Sequence, residues 1–390
     1  MVDTLKKAAI VGVCQTAQGR SLNRRRTDLY IEVVKGALDD AGLNAKDVDG
    51  VVGANNPLVT EGEGEHYPGS VFAEYFGTHI RYSASATSGT QSFTLGMLHA
   101  LEAVSLGRAN TVLVAMASGR QFGGGEGRDS GQQVTKDEWF APFGLARVAT
   151  YGMMARRHMH EYGTTSAQLA RVAVIARKHA LLNPGAAMHS RGPITVEDVL
   201  NSRMIYDPLH MLDCCIVNEG AAAVVVTTAE RAKNLKHKPI HVLGFGEAFS
   251  AIDLYQLPKI TAFDGARSSK EAFAMAGVRQ SDIDVAQISD HFTINVIMEL
   301  EELGFCKTGE GGPFVESGAV ELGGKMPINT NGGYLSHSHT GDVGLFDTIE
   351  LVRQLRGEAG ARQVPNARIG LYHGVGGTMI AAQTAILARD

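Results

Sequence analysis

A repeat inside the chain restricts its fold more than any other feature: ALDDAGLNAKDVDGVV at 37–52 returns as AFAMAGVRQSDIDVAQ at 272–287, a constant offset of 235 (272 minus 37). In each copy a helical pattern stops at Ala-Gly, Ala41-Gly42 and Ala276-Gly277, where glycine suits the left-handed residue that closes a helix. An Asp-apolar-Asp link, Asp47-Val48-Asp49 and Asp282-Ile283-Asp284, then leads into a strand-like run. A polar, glycine-containing loop, a helix and a further strand follow each copy, at 95–116 and at 345–373. Strands alternating with helices predict mostly parallel sheets covered by helices, so two fused copies of one α/β unit are expected.

The expected organisation is a first part of the N-terminal half at 1–119, an inserted lid or loop region at 120–207, the end of the N-terminal half at 208–240, and a C-terminal half at 241–390. If a pseudo-dyad relates the halves, the loops before the helices at 92–106 and 343–356 meet at its centre. Helix N-termini there would present unpaired N–H groups to an anion or oxyanion.

With 390 residues, 44% of them hydrophobic and 20% charged, the chain has the make-up of an ordinary globular protein, long enough for a large core. A net charge of -5 argues against nucleic acid as a partner, because phosphate binding needs a concentrated basic surface. Cysteines 14, 214, 215 and 306 lack metal-ligand spacing, so neither a disulfide framework nor a zinc site is expected, and a reducing cytoplasm fits best. No uninterrupted apolar run approaches the ~18 residues of a membrane span, and no signal peptide is read at the N-terminus.

Two stretches carry a family resemblance: HFTINVIMELEELGFCKTGEGGPFVESGAVELGGKMPINTNGG at 291–333 and PLHMLDCCIVNEGAAAVVVTTAERA at 208–232. On these, and on a likeness running end to end, the chain resembles the thiolase superfamily, in its branch of sterol-carrier-type thiolases and lipid-transfer proteins. The resemblance implies a duplicated five-layer α/β/α/β/α fold with two mixed sheets, a homodimer, and coenzyme A thioesters as substrates, with coenzyme A part of the substrate rather than a tightly bound cofactor. Relatives of this branch also work with a small zinc-ribbon and OB-fold subunit, so the resemblance implies such a partner.

The family's nucleophilic cysteine heads the helix at 92–106. Counting back from Gly107 places Thr90 there, and matching Ser88-Gly89 instead places Ala86. Neither is a thiol, and a threonine hydroxyl without an adjacent base is a poor nucleophile, so covalent thiolysis is not expected. The family's Gly-His-Pro histidine falls on His339, within Ser338-His339-Thr340, and the loop residues Asn331, Gly332 and Ser338 are expected to meet substrate. The family's Asn-Glu-Ala-Phe position falls on Ser289, followed by His291, where a hydroxyl would still hold a water against the thioester oxygen. The tyrosines of the steroid-cleaving aldolases are present neither there nor at His339. The second, acid/base cysteine becomes His373, ahead of Gly376 and Gly377.

What the resemblance implies for chemistry is polarisation of a thioester carbonyl by His339 with Ser289, and a second oxyanion hole from the backbone N–H groups of Thr90 and Gly376 or Gly377. The leading expectation is a non-covalent aldol or retro-aldol reaction on a β-hydroxyacyl-CoA, with His373 or His291 as a base titrating near neutrality. The alternatives are an acyltransferase subunit and a non-catalytic acyl-CoA-binding subunit.

Other signals have plain explanations. The HSH run at 337–339 lacks a ligand cluster, so no metal is expected. GGGEG at 123–127 lacks the strand and helix of a dinucleotide fingerprint. Cys214-Cys215 reads as apolar packing, and adjacent Ser289, Asp290 and His291 on an extended chain point apart rather than forming a triad.

Overall fold

The computed structural model describes residues 5–53, 67–86, 92–118, 147–251, 254–340 and 343–389. Thr90 and the glycine-rich stretch at 119–131, with the start of the 120–207 insertion, lie outside the described residues. The helices of ten residues or more are α1 (Arg26–Ala41), α2 (Ser92–Ser105), α3 (Arg147–Tyr162), α4 (Ser166–Ala180), α5 (Gly265–Ala276), α6 (Thr293–Glu302) and α7 (Gly344–Arg356). None of the described helices is long and apolar enough to cross a membrane.

The strands are β1 (Ala8–Gln15), β2 (Gly50–Gly53), β3 (Tyr82–Ser85), β4 (Thr111–Ser118), β5 (Met204–Tyr206), β6 (Leu209–His210), β7 (Gly220–Thr228), β8 (Ile240–Phe249), β9 (Val285–Ile288), β10 (Ile369–Gly376) and β11 (Ala381–Arg389). Nine of them run in the order β3-β2-β4-β7-β1-β8-β11-β10-β9. In the N-terminal half β1 and β7, then β7 and β4, pair antiparallel, and β4 and β2 pair parallel. The C-terminal half repeats this with β8 and β11, β11 and β10, and the parallel pair β10 and β9. The two mixed sheets therefore meet edge to edge, where Ile10 pairs with Ile240, and form one hydrogen-bonded surface.

The repeat seen in the sequence recurs in side-chain detail. Gly42 and Gly277 close α1 and α5 at φ 71 and 69. Asp49 accepts the backbone N–H groups of Asn110 and Thr111, and Asp284, offset by 235, accepts those of Arg368 and Ile369. Each helix lies close enough to its strand to require glycine. A Cβ on Gly12 would stand 2.2 Å from the Ala37 carbonyl oxygen, and one on Gly244 2.1 Å from that of Ala272, which is Ala37 shifted by 235.

Alternation along the strands sorts the core into layers. Ala8 and Ile10 face an inner cluster with Leu101 of α2 and Phe346 and Ile349 of α7, while Ala9 and Val11 face α1 through Val33 and Val34. On the far side, Ala286, Ile288, Leu371 and Val375 pack on α5, α6 and the α3–α4 pair. The sequence α1, sheet, α2 with α7, sheet, α5 with its neighbours gives the five expected layers.

Candidate active site

The candidate side chains sit where a segment beyond β9 folds back on the N-terminal half. Residues 327–329 extend the sheet edge: Ala286 donates to the Pro327 carbonyl and Asn329 to that of Ala286, while the Asn329 side chain bonds both the N–H and the C=O of Ile288. The Asn331-Gly332-Gly333 sequence then turns the chain into one π-helical turn, Gly333–His337. Gly332 has φ 110 and Gly333 φ 60, a region in which a side chain is strained. A Cβ on Gly332 would meet Ala180 at 2.6 Å, and one on Gly333 would meet Asp290 at 2.1 Å.

That turn ends in Ser338-His339-Thr340, which three residues of the N-terminal half hold. Gln18 accepts from the Ser338 hydroxyl at 2.9 Å, Asn218 Oδ1 accepts the His339 N–H at 2.5 Å, and Ser118 at the end of β4 donates to the Thr340 carbonyl at 2.8 Å. His339 is thereby fixed at the junction of the two halves, as the duplication implies.

Around its ring stand Cys215, His291 and Tyr334. Cys215 Sγ lies 3.6 Å from His339 Nδ1. The His291 ring meets the His339 ring edge-on, centroids 5.2 Å apart at 85°, and Tyr334 lies 5.8 Å away. Backbone bonds set this arrangement: Cys215 donates to the His291 carbonyl at 2.8 Å, and Ile216 to the Tyr334 carbonyl at 3.0 Å. The expectation that Cys215 is mere packing beside Cys214 fails here, because a thiol touches the imidazole expected to act without one.

Beneath this cluster lie buried acids. Asp290 accepts the N–H of Tyr334 at 2.6 Å and of Leu335 at 3.2 Å, and burial pushes its carboxyl up to about 7 against those bonds. Tyr334 donates its hydroxyl to Asp347 at 2.5 Å, and burial holds Asp347 and Glu299 well above the usual carboxylate range.

The remaining expected residues separate. His291 belongs to the cluster, but burial, with His339 and Arg147 nearby, pushes its ring well below the usual histidine value. Its Nδ1 has no hydrogen-bond partner among the described residues. His373 turns to Thr384, 2.9 Å from Nδ1, and to Phe263, and burial lowers it to about 3. A base titrating near neutrality is therefore found at neither position, since desolvation disfavours the charged imidazole. Ser289 is 1% exposed, and its hydroxyl accepts the Val375 N–H at 3.0 Å, which ties it to β10. Gly376 and Gly377 follow on the same strand end, with Gly377 at φ 57. Asn331 and Ser338 are each 1% exposed: the Asn331 side chain accepts the Gly333 N–H and its carbonyl accepts from Asn183, while the Ser338 hydroxyl bonds Gln18 and Asn218 of the N-terminal half. His337 points to Gln15 and Phe346 while His339 points to Cys215, so the two rings of the HSH run diverge. Ser289 and Asp290 turn to different backbone groups, Ser289 to the Val375 N–H and Asp290 to those of Tyr334 and Leu335.

Comparison with known proteins accords with this architecture. Residues 246–389 match the family model "Thiolase C-terminal domain-like". The chain is 35% identical over 387 residues to an acetyl-CoA acetyltransferase of Methanothermobacter thermautotrophicus, covering 99% of this chain and 100% of that protein. It is 38% identical over 360 residues to a steroid side-chain-cleaving aldolase of Thermomonospora curvata, covering 89% and 90%. A solved structure named "Ltp2-ChsH2(DUF35) aldolase" superposes with a TM-score of 0.87 at 34% identity, covering 99% of this chain and 98% of that one.

Proposed function

Because this chain belongs to the thiolase superfamily, in its sterol-carrier-type branch, we propose that it breaks or makes a carbon–carbon bond in an acyl-CoA by aldol chemistry on a β-hydroxyacyl-CoA. The observation that carries the reading is His339, held by Asn218 at the junction of the halves and ringed by Cys215, His291 and Tyr334. An imidazole so fixed is a preorganised donor to a thioester oxygen on which charge develops.

In the cleaving direction a base removes the β-hydroxyl proton and the Cα–Cβ bond breaks. An aldehyde or ketone departs, and the electron pair passes to the thioester as an enolate, which His339 stabilises. Returning the proton to Cα completes the shortened acyl-CoA. We assign the base to His291, whose ring stands edge-on to His339: burial makes it a weaker base than an ordinary histidine but keeps the ring neutral and so able to accept the proton.

A homodimer, and a small partner of zinc-ribbon and OB-fold type, belong to the same proposal; the name of the superposed aldolase couples it with a DUF35 protein. The test is release of a carbonyl compound and of shortened acyl-CoA from β-hydroxyacyl-CoA substrates, by the chain alone and with candidate partners. Absence of release in every combination overturns the reading.

The thiol beside His339 favours a second reading, acyl transfer through Cys215. A mass increase of one acyl group on a peptide containing Cys215, after incubation with acyl-CoA, would select it over the first.

A further inference from the structure

We propose that Cys215 is a positioning residue, whose thiol fixes the tautomer of His339 and so keeps a hydrogen on the ring's Nε2. The inference rests on the reading of His339 as the group that polarises the thioester carbonyl.

A neutral imidazole carries one hydrogen, and only a nitrogen that carries it stabilises an oxyanion by donation. Which nitrogen that is follows from the bond made by the other. At His339 the partner of Nδ1 is Cys215 Sγ, 3.6 Å away, within hydrogen-bond reach for sulfur. Thiol sulfur is a weak acceptor, whereas S–H can donate to an imidazole lone pair, so the pairing that satisfies both groups is S–H to Nδ1 with the ring hydrogen on Nε2. Should the proton cross to the ring, Nε2 keeps its hydrogen in the resulting imidazolium. Both arrangements leave a donor on the far side of the ring from Cys215.

The surroundings hold the pair in register. Cys215 is anchored through its own N–H to the His291 carbonyl at 2.8 Å, and His339 through its N–H to Asn218 at 2.5 Å. The edge-on His291 ring restricts rotation of the His339 imidazole, which would otherwise exchange Nδ1 with the opposite edge. The thiol belongs to the N-terminal half and the imidazole to the C-terminal half, so the tautomer is set only when the two halves are assembled.

Nitrogen-15 NMR of the full chain labelled at histidine, with His339 assigned by its loss in His339→Gln, reads the tautomer without any substrate. The expected result is hydrogen on Nε2 of His339 in the wild type and in Cys215→Ser, whose hydroxyl donates likewise, and a mixture of tautomers in Cys215→Ala. In turnover assays Cys215→Ala should lose roughly tenfold in kcat with little change in KM, and Cys215→Ser should recover part of it. An unchanged His339 tautomer in Cys215→Ala overturns the proposal, as does an acyl adduct on Cys215, which would make the thiol a nucleophile. If no form turns over any β-hydroxyacyl-CoA while the tautomer still follows residue 215, the functional reading falls and this one stands.

Discussion

Gly333 lies so close to Asp290 that a Cβ built on it would stand 2.1 Å from the carboxylate oxygen Oδ2. The same carboxylate holds the N–H groups of Tyr334 and Leu335, so one contact decides both the π-helical turn and the loop that delivers His339. Gly333→Ala should cost about 1–3 kcal/mol through overpacking at a positive φ. Its effect on turnover should be larger than its effect on the melting temperature implies, because the displaced turn carries His339. Comparing denaturant midpoints with kcat checks this, and equal kcat in the variant would refute it.

Asp290 gives the fold a pH dependence whose sign is fixed. Its folded-state value of about 7 lies above the ordinary carboxyl value of about 3.9, so the folded chain binds this proton more tightly than the unfolded chain does. The stability it contributes is fully present below pH about 3.9 and is lost as pH rises through about 7. Glu299 and Asp347, also raised by burial, add in the same direction. Melting temperatures of the wild type and of Asp290→Asn, compared from acid to neutral pH, should diverge with the wild type losing ground as pH rises. A constant difference would remove Asp290 from this account.

Loss of the His339 donor should fall on the chemical step. His339→Gln is expected to reduce kcat by roughly 10²–10³-fold, the usual effect of removing one oxyanion donor, while acyl-CoA still binds. Titration calorimetry with a non-cleavable acyl-CoA, alongside turnover, separates the two quantities.

His373 should behave as a structural residue. Held neutral at about 3 and bonded to Thr384, it does not ionise in the range where enzymes of this kind are assayed. His373→Gln should change kcat by less than about tenfold, ~1.4 kcal/mol, while lowering the melting temperature through the disturbed Thr384 bond. A large fall in kcat with unaltered stability would return His373 to the catalytic machinery.

Legibility in the sequence followed the range of the interactions involved. Repeat, helix closure at Gly42 and Gly277, and the aspartate links at Asp49 and Asp284 are local patterns, and each kept its meaning in the folded chain. His339 was found from its distance to a motif. Cys215 was missed because it reaches His339 across 124 residues, and Tyr334, only five residues away, because it comes alongside through the π-helical turn, which no sequence pattern announced. His373 misled because its motif position fixes the strand end but not which face the ring takes.

By itself, then, the sequence determined a duplicated α/β chain and the loop bearing its key histidine, since helix ends, strand alternation and glycine requirements are written within a few residues of where they act. The tertiary structure alone decided which groups meet that histidine and in what protonation state. Those depend on desolvation and on contacts between halves, such as Asn218 to His339 and Cys215 to His339, which exist only after distant segments have packed together.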